Sequence, residues 1–178
     1  AFGLQPGFVK HIADAEQAYV QAELKGPNTW VILPKIFWPL HWHNIDDPVV
    51  LLRRALYGHP QAGAFWEKHL ESALELEGFT KVPGWKSTYR HEQLDLLLIV
   101  YVDDMKLSGP AKEMPAAWEA LSQHIKLEIP KGDKVDVDPS KDRSLTFLGC
   151  EMKRGRRSIK GKEVEYVEYN FSSQLKRA

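Results

Sequence analysis

The run Leu94-Asp95-Leu96-Leu97-Leu98-Ile99-Val100 is almost wholly apolar and leads straight into Tyr101-Val102-Asp103-Asp104. A second short run, Met105-Lys106-Leu107-Ser108-Gly109-Pro110, then passes into a turn signal. Two β-forming runs separated by adjacent carboxylates read as a hairpin with acids at its tip. Neighbouring like charges disfavour each other. A bound divalent cation would compensate that repulsion, which makes the pair a candidate metal site. Taken alone, the pair is more simply a solvated turn, because Asp is common in turns.

The rest of the chain bounds what that hairpin belongs to. At 178 residues with 43% hydrophobic residues, one domain with an ample core is expected. Lys plus Arg balances Asp plus Glu at 24 each, which argues against a wholly basic nucleic-acid binder and leaves local patches open. The single cysteine, Cys150, excludes an internal disulfide and a Cys-based zinc site, and fits a reducing compartment. No apolar run approaches the roughly 18–20 residues needed to cross a bilayer. The start, Ala1-Phe2-Gly3-Leu4-Gln5-Pro6, lacks a basic and apolar leader, so no signal peptide is expected. The absence of an initial Met suggests an excised piece of something longer.

In order, Phe8 to Ala13 reads as a strand. Asp14 sits where the N-cap of a helix over Glu16 to Leu24 would stand, with Gln17 completing a capping box. Trp30 to Leu33 is a short strand, and Pro34, Pro39 and Pro48 mark an irregular, aromatic-rich connection. His41 and His43 within it lack the further ligands a zinc site needs. The spacing of Phe65, Trp66, Leu70, Ala73, Leu74 and Glu77 predicts a helix from Gln61 to Glu77, stopped by Gly78. Phe79 to Val82 and Ser87 to His91 are weaker strands. A second helix is expected over Glu113 to Leu127, with Pro115 in its first turn and Trp118, Leu121 and Ile125 as its stripe. Residues 131–143 read as a charged loop, whose aspartates at 133, 136, 138 and 142 do not fit a calcium loop. Strands over Leu145 to Met152 and Val164 to Phe171 would flank a basic tip holding Lys153, Arg154, Arg156, Arg157, Lys160 and Lys162. That tip is a solvated turn or a phosphate contact. The sum is an α+β layout with helices on one face of an antiparallel sheet.

Several of these stretches, taken together, resemble the reverse transcriptase of copia-type LTR retrotransposons. Leu98-Ile99-Val100-Tyr101-Val102-Asp103-Asp104-Met105 is similar to the family's polymerase motif C. Asp14 with Ala18-Tyr19 resembles motif A, and Arg54-Ala55-Leu56-Tyr57-Gly58-His59-Pro60-Gln61-Ala62, running on to Trp66, resembles motif B. Phe147-Leu148-Gly149-Cys150-Glu151 resembles the strand after the palm, motif E. The resemblance covers about residues 6 to 175. It implies a polymerase palm-like antiparallel sheet with partial fingers over residues 1–178. It also implies that the N-terminal fingers, full thumb and RNase H lie outside the chain.

By that resemblance Asp14 and Asp103, 89 positions apart (103 − 14), meet on neighbouring palm strands as bridging metal ligands. Asp104 completes the catalytic set, and the Ala15 carbonyl is an additional ligand. The implied cofactor is Mg²⁺, two ions, with Mn²⁺ as a substitute. The reaction joins a primer 3′-hydroxyl to the α-phosphorus of a deoxynucleotide with loss of pyrophosphate. Two ions about 3.5 to 4 Å apart lower the hydroxyl's pKa and neutralise the leaving group. Tyr19 matches the steric gate against a ribose 2′-hydroxyl, and Gln61 matches the motif B contact to the incoming nucleotide. Tyr101 and Met105 would support the primer terminus, and Phe147, Leu148 and Gly149 the primer grip. The implied partners are an RNA or DNA template-primer, dNTPs and the integrase and RNase H of a Pol polyprotein. No membrane partner is expected, and the compartment is a cytoplasmic virus-like particle or the nucleus, without secretion.

The chain departs from the family pattern in three places. Lys10 is the sole Lys or Arg before Asp14, Gly63 follows Gln61-Ala62, and a motif D lysine has only Lys126 and Lys131 as candidates. Two other functions share part of this residue set. One is a catalytically inactive or co-opted nucleic-acid-binding module, against which the intact Asp14, Tyr19, Gln61, Asp103 and Asp104 argue. The other is a metal-dependent nuclease, which leaves Tyr19 and Gln61 without a role.

Overall fold

The computed structural model describes residues 2–136 and 144–172, and the chain divides into two compact units, residues 1–16 with 71–178 and residues 17–70. The expected loop aspartates Asp138 and Asp142 and the end of the family resemblance fall outside the described residues.

In the first unit a 3₁₀ turn, Phe2–Leu4, precedes β1, Phe8–Ala15. Asp14 therefore lies inside a strand, which corrects its reading as a helix cap. The turn after it puts Gln17, at φ 53°, before a one-turn helix α1, Ala18–Gln21, which belongs to the second unit. No helix reaches Leu24, because Leu24 donates its N–H to the Arg53 carbonyl instead.

The second unit then pairs β2, Trp30–Ile32, with β3, Val49–Leu51. Two 3₁₀ turns, Lys35–Phe37 and Leu40–Trp42, fill the proline-rich connection. There Trp38 Nε1 donates to the Leu33 carbonyl at 2.7 Å. The helix α2 runs Ala62–Leu76 and begins in this unit. Trp66, Leu70, Ala73 and Leu74 are buried on its expected stripe, and Gly78 at φ 80° ends the segment as the sequence predicts.

In the first unit the chain continues through β4, Thr80–Lys81, β5, Thr88–His91, β6, Leu96–Tyr101, β7, Asp104–Pro110, and α3, Met114–Ser122. Next come β8, Leu127–Glu128, β9, Val135–Asp136, β10, Ser144–Phe147, β11, Cys150–Ile159, and β12, Lys162–Asn170. Among the described residues, seven strands form one antiparallel sheet ordered β4-β5-β6-β7-β1-β8, with β9 also paired to β1. β10, β11 and β12 form a second sheet in that order.

The helix expected to reach Leu127 is shorter. After Ile125 the chain pairs its backbone with β1, Leu127 standing opposite Ala15. Pairing with the sheet gives that backbone its hydrogen bonds, which outweighs the helical preference of the sequence. The strand expected over Leu145 to Met152 is instead a tight hairpin. Phe147 pairs with Cys150, and Leu148 (φ 51°) and Gly149 (φ 73°) make the turn. The hairpin expected around the basic stretch is present, with strands that extend through most of it. Arg156 pairs with Glu165 and Ile159 with Lys162, so Lys160 and Gly161 alone form the tip of a long ribbon.

The two faces of the main sheet differ. Residues directly opposite one another across a strand pair share a face. Leu96, Leu98, Val100, Met105 and Leu107 fill one face and are almost completely buried, and α3 packs against β7. Ile12, opposite Lys106, lies on the other face and packs with Leu145, Phe147, Cys150 and Met152 of the second sheet. Asp14 and Asp104 share that second face.

Candidate active site

Antiparallel register assembles the site. Asp14 of β1 stands directly opposite Asp104 of β7, and Tyr101 of β6 stands opposite Asp104 from the other side. Asp103 joins the group through the backbone, its carbonyl accepting the Ala15 N–H at 2.9 Å. The turn joining β6 to β7 has two residues, Val102 and Asp103. Val102 sits at φ 57°. A left-handed backbone conformation is rare for a β-branched residue. Strain of this kind marks positions that the surrounding structure holds in place.

The carboxylates repel one another. Partial burial, then the charges of Asp103 and Asp104, push the Asp14 carboxyl above its ordinary 3.8. Partial burial, then Asp103, push Asp104 up in the same way. The Lys134 ammonium opposes both shifts.

Asp14 and Asp104 line a cavity of about 340 Å³ with Ile12, Ala13, Glu128, Lys134, Ser144 and Thr146. Glu128 stands opposite Asp14 in the β1–β8 pair and holds the Lys134 ammonium at 2.6 Å. Glu128, Lys134, Ser144 and Thr146 had no signal in the sequence. Their position depends on the chain from Leu127 onward returning to β1, which no local pattern encodes. Lys126, a candidate motif D lysine by the resemblance, pairs with Glu16 at 2.5 Å.

Among the described residues no three His, Cys, Asp or Glu side chains already stand in a metal-holding arrangement. The donor set still fits a hard cation. Mg²⁺ is held through one or two carboxylates, with waters and substrate phosphates completing its shell. Asp14 and Asp104 supply two such carboxylates on one face, and Lys134 offsets their repulsion only in part.

The other expected residues divide. Tyr101 is 61% exposed beside the acids. Met105 is fully buried on the opposite face, so it is a core side chain rather than a support for a primer. Ala15 is buried and engaged through its N–H. Phe147 is buried beneath the Lys106 ammonium, 4.9 Å from its ring centroid, while the Leu148–Gly149 turn is exposed. Tyr19 and Gln61 lie in the second unit. Tyr19 is half-buried with its ring 5.4 Å from that of Tyr57. Gln61 is exposed at the entry to α2, its N–H donating to His59 Nδ1 at 3.2 Å and its carbonyl accepting from Phe65.

An antiparallel sheet that brings one acid from a first strand against two acids at a hairpin tip is a palm-like polymerase arrangement. The chain belongs to the reverse transcriptase (RNA-dependent DNA polymerase) family, whose model matches residues 1–169. Its relatives include the Transposon Ty1-DR4 and TyH3 Gag-Pol polyproteins of Saccharomyces cerevisiae, each 33% identical over 95 residues. The match covers 53% of this chain and 5% of each polyprotein. The Truncated transposon Ty1-A Gag-Pol polyprotein of the same yeast is 33% identical over the same length, with 7% of it covered. These relatives agree with the copia-type resemblance of the motifs. Among the described residues no helix is long and apolar enough to cross a membrane.

Proposed function

We propose that this domain carries out RNA-directed DNA synthesis, extending a primer 3′-hydroxyl with deoxynucleotides as part of a retrotransposon Pol polyprotein. The observation that carries the reading is the register opposition of Asp14 and Asp104, with Asp103 bonded to the Ala15 backbone. It supports one acidic cluster built from residues far apart in sequence.

Asp14, Asp103 and Asp104 would hold two Mg²⁺ ions. When bound, such a pair lowers the pKa of an attacking hydroxyl and neutralises a departing pyrophosphate. The chain's own residues supply the rest. The paired strands fix the acids, so no reorganisation is needed as charge develops. Tyr101, exposed beside Asp104, and the exposed Leu148–Gly149 turn offer surfaces for the primer strand. Tyr19 would bar a ribose 2′-hydroxyl, and Gln61 would contact the incoming nucleotide. Template-primer, dNTPs and the integrase and RNase H regions of the same polyprotein are the proposed partners, within a cytoplasmic virus-like particle.

The test is single-nucleotide primer extension with and without Mg²⁺. Incorporation should require the ion and disappear in Asp103→Asn. Incorporation that persists in Asp103→Asn would rule out this mechanism.

A further inference from the structure

The carboxylate cavity holds one cation of its own. Lys134 is the only cationic side chain among the described residues that line it. Two independent features keep it there. Its backbone closes a 3₁₀ turn, with its N–H donating to the Lys131 carbonyl at 3.1 Å and Gly132 at φ 58°. That turn feeds directly into β9, which pairs with β1 at His11 and Lys10. Its ammonium is then held at 2.6 Å by Glu128, the residue opposite Asp14. The ammonium lies within the field of both Asp14 and Asp104, partly offsetting their repulsion.

We propose that Lys134 is the built-in counter-ion of the carboxylate site, held by Glu128, and that a divalent cation binds there by displacing it. The proposal rests on the reading of Asp14 and Asp104 as a divalent-cation site. A fixed positive charge beside two carboxylates lowers their attraction for a second cation. Glu128 gives the ammonium a partner to remain with when the ion arrives, so the exchange leaves no charge unpaired. The domain would then keep its acids partly neutralised when metal is scarce, and open the site when metal is present.

The experiment is Mn²⁺ binding to the chain, read by the loss of the free-ion electron paramagnetic resonance signal, with no catalytic turnover involved. Lys134→Gln should tighten Mn²⁺ binding about three- to tenfold, as expected for removing one nearby unit charge. Lys134→Arg, which keeps the charge, should bind within about twofold of the wild type, and the Lys134→Gln gain should shrink in about 0.5 M salt. Unchanged or weaker Mn²⁺ binding by Lys134→Gln would overturn the counter-ion role while leaving the metal site intact. No Mn²⁺ binding by any form, or full binding by Asp14→Asn, would overturn the metal-site reading itself, and this proposal with it.

Discussion

Arg154 fastens the β11–β12 ribbon, and with it the Leu148–Gly149 turn, to the acid-bearing sheet. Its side chain is 6% exposed. Its guanidinium donates to Glu165 Oε2 from Nε at 3.1 Å and from Nη2 at 2.5 Å, and to the Phe8 carbonyl at 3.3 Å. Arg154→Met keeps most of the buried volume and removes all three bonds. A hydrogen bond involving a charged group contributes about 1.5–3 kcal/mol. Glu165 remains partly in water and keeps Arg156 at 3.0 Å, so the lower end applies to it. The loss should be about 2–3 kcal/mol at pH 7, read as a shift in urea midpoint. The hydrogen bonds from Arg154, first, hold the Glu165 carboxyl below 4.5. A depressed carboxylate contributes stability above its unfolded pKa and loses it as pH falls through the folded value. The gap between wild type and variant should therefore narrow below about pH 4.5, towards the share of the Phe8 bond, about 1.5 kcal/mol. A variant within about 0.5 kcal/mol of wild type at pH 7, or a gap independent of pH, would refute the reasoning.

Asp104 gives the opposite sign. Its carboxyl is raised, so its favourable share of stability is complete below its unfolded pKa and is lost as pH rises through the folded value. Asp104→Asn should raise the melting temperature of the metal-free domain at pH 7, and that advantage should fade towards pH 4 and in saturating Mg²⁺. Leu98→Ala, at a fully buried position of β6, should cost about 2–5 kcal/mol in urea unfolding with no change in denaturant slope. Tyr19→Val should raise ribonucleotide incorporation relative to deoxynucleotide by about tenfold or more in primer extension. Unchanged discrimination would remove Tyr19 from the gate.

The acid-bearing hairpin was legible because two apolar runs and a two-residue turn are local signals. The stripe of α2 and the stop at Gly78 were legible for the same reason. What escaped depends on pairing between distant segments. Asp14 looked like a helix cap because its neighbours match a capping box, yet β7 and β8 claim its backbone from both sides. The end of the second helix was lost to the pairing of Leu127 with Ala15. Leu148 at φ 51° gave no warning of a turn, because leucine seldom adopts that conformation, and the apolar run 145–152 read as one strand. Lys134 was invisible in a charged stretch that also holds Lys131. Within the basic stretch, the structure separates Arg154 and Arg156, spent on Glu165, from Lys160 and Lys162 at the ribbon end.

The central claim is that Asp14 and Asp103, far apart in the chain, act as one site. Single-turnover primer extension by Asp14→Asn, Asp103→Asn and the double variant tests it most directly. Groups that act as a unit are non-additive. Each single variant should lose about as much rate as the double. A double variant whose loss is the product of two independent losses, or an Asp14→Asn variant that keeps the wild-type rate, would contradict the account.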